Sequence, residues 1–514
     1  MSPDPSTENE VAIVTAVDAR SRPAAAQETE EGTSKHVKFS SILVIASVLC
    51  LATFCVAVDN TILSTAVPRI THDFHSIDDV GWYAAIYPLM SCAFQPSYGK
   101  IYTLFSSKPV FLAALLIFEI GSVICATAPN SHAIIHGRAL AGVGSAGIQA
   151  GTTLILADRQ RRWTLVVIYI LIIYESFVAA VDDSPQGGAF SDTTTWRRCF
   201  YFNLPIGAAA MIFIALFYDG RRGGRKTSEL TGFRSQMARL DLLGTLTFVS
   251  VTICLLLALS WGGTTYAWSS ARIIALLTVA GILFLLFIGV EYWRGHGAII
   301  SLWLLRKRGM CAAIWFGICL GGVFFVDVFY VPLWFQIVDD VPAVRSAILF
   351  IPFMLSVVGD FIAAGFGAAV TGYYTPSVYA SSIFMSIGTG LLTTVRPQST
   401  SRARWVGFQI LCGAGIGLGE EQGLYMVQTA LPEAHVATGV GIVLFAQTFG
   451  GALLMSVAQA VFLRDISKAL QTLAPNLDLH AVLDGASTAL PSSSHAQASP
   501  ELQVIYDVAI KGAL

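Results

Sequence analysis

The chain has 514 residues, 54% of them apolar and only 12% charged, with a mean hydropathy of +0.66. A soluble domain carries about 25% charged residues, so this composition excludes a water-exposed globule of ordinary surface. The near balance of 31 basic and 33 acidic residues excludes the basic surface that a nucleic-acid partner needs. What remains is an all-α integral membrane protein whose main partner is the lipid bilayer.

Residues 1–38, with "MSPDPSTENE" and "AAAQETEEGTSK", are polar and acidic and predict a disordered cytoplasmic tail. No basic start followed by a short apolar core is present, so the first apolar run is read as a span and not as a secretory signal. A helix needs about 20 mostly apolar residues to cross the hydrocarbon. Runs near 41–58, 81–98, 109–127, 132–152, 164–181, 199–217, 241–259, 271–289, 310–329, 345–363, 377–394, 405–425 and 437–462 meet that length and predict thirteen spans. The turns between them carry Pro, Gly or charge, as in "APNS", "WGGTTYAW" and "GYYTP". Lys100, Lys108, Arg159, Arg161, Arg162 and the Arg-rich stretch after the sixth span fall on loops of one side, which places the N-terminus inside by the basic-loop rule. The organisation expected is a tail (1–38), a first bundle (41–217, spans one to six), a cytoplasmic linker (218–240), two further spans (241–289), a second bundle (310–462) and a polar C-terminal segment (463–514). Nine cysteines lie in or beside apolar runs without a C-x-x-C pair and read as small buried hydrophobes.

The fourth span contains "RALAGVGSAG", in which Gly142, Gly144 and Gly147 have the spacing of a dinucleotide-binding turn. That fingerprint needs a strand before it and a helix after it, and neither is available inside an apolar run. Together with Gly151, these glycines instead make a smooth face on which a neighbouring helix can approach closely. Arg138, at the start of the same stretch, costs on the order of 2.5–3.5 kcal/mol in a bilayer. It either snorkels to the nearby surface or meets a carboxylate, carbonyls or water. Asp59 in the first run, Glu119 in the third and Glu420–Glu421 in the twelfth are acids in apolar company. Each is a candidate for function, set against a surface position for Asp59 and an ordinary hydrogen bond for Glu119. His132 and His136 have no acidic third ligand nearby, so no metal is expected. No H-E-x-x-H, G-x-S-x-G or G-x-x-x-x-G-K-[ST] motif occurs, which argues against an enzyme and against an ATP-driven pump.

Taken in order, "VAVDNTILSTAVPRI" (56–70), "DVGWYAAIYPLMSCAFQPSYGKIYTLFSSK" (79–108), "GRALAGVGSAG", "WRRCFYFNLPIG" (196–207), "DLLGTLTF" and "FAQTFGGALLMSVAQAVF" (445–462) resemble the major facilitator superfamily, in particular its fungal fourteen-span drug:proton antiporter branch. The resemblance implies two six-helix bundles plus two extra helices. It also implies efflux of small amphipathic toxins, drugs or secondary metabolites by a monomer in the plasma or vacuolar membrane, with no cofactor beyond a proton gradient. Asp59 and Arg138, with Glu119 and Glu420, would serve proton coupling or the substrate cavity. Gly99 and Lys108 would belong to a gating loop between the second and third spans. Uptake of a nutrient or an iron chelate, or a homologue that does not transport, are the alternatives.

Three departures stand out. Thr103 and Leu104 replace the charged pair that the family places after Gly99. The glycine-rich antiporter motif of the fifth span is reduced to Pro185, Gly187 and Gly188, and residues 159–186 read as a local frame or splice difference. No apolar run near 20 residues follows residue 462, so the chain is expected to lack the last helix, to leave the glycine face at Gly450 and Gly451 open to lipid and to be less stable for it. With thirteen spans, a fluorescent tag after Leu514 would report the non-cytoplasmic side.

Overall fold

The structure is a computed structural model that describes residues 39–74, 79–157, 196–218, 240–263, 266–339, 341–396, 401–473 and 500–514. The chain divides into a unit of residues 1–43 and a compact unit of residues 44–514. Among the described residues the elements are helices, with one isolated bridge between Gly262 and Tyr266. In chain order they are α1 (Phe39–Phe74), α2 (Val80–Leu104), α3 (Ser107–Ala126), α4 (Ser131–Ala157), α5 (Arg197–Phe217), α6 (Leu242–Trp261), α7 (Ala271–Arg294), the short α8 (Leu302–Leu305), α9 (Arg308–Ile337), α10 (Ala343–Thr371), α11 (Thr375–Leu392), α12 (Arg402–Gly419), α13 (Gln422–Ala430), α14 (Glu433–Leu473) and α15 (Pro500–Ala513). The fifth predicted run, the greater part of the predicted linker and Pro185, Gly187 and Gly188 lie outside the described residues.

Seven helices, α3, α5, α6, α7, α9, α10 and α14, hold a stretch long and apolar enough to cross a membrane on length and composition alone. The others devote part of their length to polar groups that only a packed interior accepts: Asp59 on α1, Gln95 on α2, Arg138 on α4, Ser381 on α11 and Gln409 on α12 are all buried.

Burial separates two cores. One gathers Leu49, Tyr98, Phe111, Phe118 and Ile148 from the first four helices, with Ala210 and Ile214 of α5. The other gathers Tyr330, Phe353, Met385, Ile416, Ile466 and Ile510 from α9 to α12, α14 and α15. The two bundles are built alike. In the first, α4 packs on α2 and α3, and in the second α12 packs on α10 and α11. A Cβ at Gly142 would lie 2.5 Å from the carbonyl oxygen of Tyr87 on α2, and one at Gly144 2.5 Å from the backbone nitrogen of Phe118 on α3. Gly413 and Gly415 repeat the arrangement against the carbonyl of Phe353 on α10 and the backbone of Met385 on α11. Only glycine permits backbones this close. The pair α6–α7 packs through Phe248 and Phe287, with Phe248 also on Phe445 of α14, ring centroids 5.0 Å apart.

The bundles meet along α2 and α14. At the lower end, where α1, α3, α9 and α14 begin, Gly99 and Gly441 face each other, and a Cβ on Gly99 would stand 3.2 Å from the Cα of Gly441. Thr103 and Thr438 share a hydrogen bond of 2.9 Å beside them, and Lys100 donates to the carbonyl of Ala298 at 3.0 Å. Midway along, the Gln95 amide donates to Gln149 at 3.1 Å and to Thr448 at 3.4 Å.

Three expectations are corrected. The twelfth run (405–425) is not one helix, because the chain breaks at Glu420–Glu421 between α12 and α13. The segment 463–514 is not simply polar: α14 continues to Leu473, and α15 runs back against α14 and α9. Its Ile505, Tyr506, Ala509 and Ile510 are buried. Its charges fall on another side of the helix, where Asp507 accepts from Trp334 Nε1 at 2.8 Å and pairs with Lys511 at 2.6 Å. The interrupted run "LQVIYDVAI" thus hides an amphipathic helix of 14 residues. Gly450 and Gly451 do not face lipid either, since Ile318 and Phe325 of α9 lie against them.

Gly144→Val should lower the thermal unfolding midpoint of the detergent-solubilised protein, because overpacking of this kind costs typically 1–3 kcal/mol and the obstacle is backbone. Ile510→Asp should lower it as well, whereas Ile510→Val should stay near the parent. Loss of monodisperse protein in size-exclusion profiles after graded heating measures both.

Candidate functional site: a buried ion pair between α1 and α4

Asp59 lies within α1 and Arg138 near the start of α4, and helix packing brings them together at the centre of the first bundle. Their side chains are 2% and 1% exposed, and Arg138 Nη1 is paired with Asp59 Oδ2. The same nitrogen also donates to the main-chain oxygen of Asp59 at 3.1 Å. The guanidinium lies over the ring of Tyr87 from α2, 4.4 Å from its centroid, a placement that favours a cation. Asn203 of α5 donates to Asp59 Oδ1 at 3.3 Å. Both carboxylate oxygens of Asp59 are therefore engaged, and Arg138 is not a snorkelling side chain. Removing one member of such a pair typically costs about 3–5 kcal/mol, because it strands the other charge.

Glu119 of α3 joins the same region. It is buried against Gly207 of α5, and neither of its carboxyl oxygens has a hydrogen-bond partner among the described residues. The site therefore holds two carboxyls and one guanidinium, all buried.

The glycines of α4 set how closely its neighbours pack along its length. Gly142 and Gly144 set the distances to α2 and α3, Gly147 admits Tyr98 and Ala114, and Gly151 admits Tyr102 and Phe111. Tyr102 then donates to the carbonyl of Gly147 at 2.9 Å. The remaining candidates go elsewhere. Gly99 sits at the seam of α2 and α14, and Lys108 donates to the carbonyl of Ala215 at the end of α5, at 2.8 Å. Glu420 lies at the break between α12 and α13, where its carbonyl accepts from Gln447 Nε2 at 3.2 Å, and it does not join the pair.

Sequence reasoning did not single out Asn203, or Tyr87 as a partner of the arginine, since neither is unusual in an apolar run. It also passed over Asp327, an acid in the middle of "FFVDVFY". The signal was the one that marked Asp59.

A family model described as Major Facilitator Superfamily matches residues 49–455. Curated relatives match almost the whole chain. The MFS-type transporter astH of Aspergillus oryzae is 43% identical over 486 residues, which is 94% of this chain and 85% of that protein. The MFS-type transporter phomT of Diaporthe leptostromiformis is 41% identical, covering 94% of this chain and 81% of its own. The MFS-type efflux pump MFS1 of Arthroderma benhamiae is 42% identical, covering 93% and 89%. With that identity over that length, and with apolar helices to span a bilayer, the chain is a multi-pass membrane transporter, not an enzyme, and it belongs to the major facilitator superfamily.

Proposed function

We propose that this transporter exports small amphipathic compounds, driven by the proton gradient through the Asp59–Arg138–Glu119 cluster. The observation that carries the reading is the buried pair with a second acid beside it. Binding and release of a proton change the net charge of a site from which water is excluded, and ionisable groups inside a membrane domain are costly enough to be functional by default. Proton loss to one side leaves a second anion near Asp59 and weakens its hold on Arg138. Proton gain restores the pair. Because Arg138 is tied to α4 and Asp59 to α1, this alternation biases how the first bundle packs. Relatives bearing the name efflux pump, among them roqT of Penicillium rubens at 38% identity, support the outward direction.

With the N-terminus in the cytoplasm, the lower end is the cytoplasmic end. The Gly99–Gly441 and Thr103–Thr438 contacts then close the path on that side. Transport follows when the bundles part along this seam and rock about the midplane. The transporter works as a monomer in the plasma membrane, without a cofactor.

The test is accumulation of candidate toxins and secondary metabolites in cells with and without the gene. Asp59→Asn should reduce proton-driven export to the level of cells lacking the gene while the protein still reaches the membrane. Full export by that variant would remove Asp59 from the mechanism. Arg138→Ala should impair export more than Arg138→Lys, because a lysine retains the charge although not the planar guanidinium that lies over Tyr87. Unaltered export by both variants would show that the charge is not used.

A further inference from the structure

The second bundle contains a buried acid of its own. Asp327, in the middle of α9, is completely buried. Its Oδ2 accepts from Cys412 Sγ of α12 at 3.0 Å and from Thr389 Oγ1 of α11 at 3.3 Å, and the thiol and hydroxyl are 3.2 Å apart. Its Oδ1 has no hydrogen-bond partner among the described residues. Among the described residues no Lys, Arg or His forms an ion pair with it. Among the described residues, Cys412 is the titratable group that hydrogen-bonds to it. Arg345 and Asp360 on α10, Arg402 and Arg404 on α12, and Asp507 with Lys511 on α15 form no ion pair with it.

The place of this group follows from the likeness of the bundles. Gly413 and Gly415 of α12 repeat the packing of Gly142 and Gly144 of α4. Four residues before Gly142 stands Arg138, and four residues before Gly413 stands Gln409. Gln409 is buried, with neither amide atom partnered among the described residues. The first helix of each bundle thus turns an acid toward the fourth. In the first bundle an arginine meets it, and in the second only neutral donors do.

We propose that Asp327 is a second proton-binding carboxyl, neutral when the second bundle is closed around it. A buried anion facing two neutral donors is far costlier than a carboxylic acid with one unsatisfied hydroxyl. When water reaches the site, the O–H bond breaks, the proton passes to that water and a carboxylate remains. Only the use of this proton in transport rests on the proton-driven reading above. Protonation itself does not.

Infrared spectroscopy of the purified full-length chain in lipid nanodiscs tests it through the C=O stretch of protonated carboxyls, which is resolved from carboxylates and shifts in deuterium oxide. At neutral pH the parent should show a band that Asp327→Asn lacks and Asp59→Asn retains. Thr389→Val should keep the band and move it to higher frequency, because one hydrogen bond to the carbonyl is lost. That shift keeps the proposal falsifiable if Asp327→Asn does not fold. Identical parent and Asp327→Asn spectra, or no shift in Thr389→Val, would overturn it. Loss of the Asp327 band beside unimpaired export by Asp59→Asn would sink the proposed coupling role of Asp59 while leaving this assignment standing.

Discussion

An arginine between helices cannot be left without a counter-charge where water is scarce, and most of the first bundle is arranged around that constraint. Arg138 draws Asp59 of α1 to it, Tyr87 of α2 covers its face, and Asn203 of α5 occupies the second oxygen of the acid. Four helices are thereby held in register by one guanidinium. The apolar packing around them is non-directional and would tolerate small slides. The pair would not.

Close approach is the condition for this pairing, and glycine supplies it. On α4 the small residues let the backbones of α2 and α3 come within contact of the helix that bears the arginine. The same device on α12 brings α10 and α11 together without a buried cation, so it is a feature of bundle construction and not of the charge. The third place where glycines meet, Gly99 with Gly441, lies between bundles and not within one. There the two backbones touch with only threonine hydroxyls and a lysine beside them.

The two halves differ in how they treat charge. The first bundle holds Asp59 and Arg138 as a pair with Glu119 buried nearby on α3, and the second holds Asp327 against a thiol and a hydroxyl. In the mechanism proposed above, the site with a fixed positive charge responds to proton loss by rearranging its pairing, and the site without one by admitting water.

Much of this was legible in the residues. Thirteen apolar runs, the small-residue face at Gly142, Gly144, Gly147 and Gly151, and the cost of Arg138 all follow from local composition, because each span must satisfy its own backbone and shed polar surface. Membership of the superfamily follows from motifs in order along the chain. What composition could not decide is which polar group meets which. Asp59 and Arg138 are 79 positions apart, and a snorkelling arginine has the same local sequence as a paired one. Asp327 gave the same signal as Asp59, yet its neighbours Thr389 and Cys412 are unremarkable in their own runs. The helix at Pro500–Ala513 escaped notice for a related reason. Its charges break the apolar run when counted along the chain and fall on one side only when the chain is wound and docked. Sequence determines what each helix must hide, and only tertiary packing decides from what, and behind which neighbour.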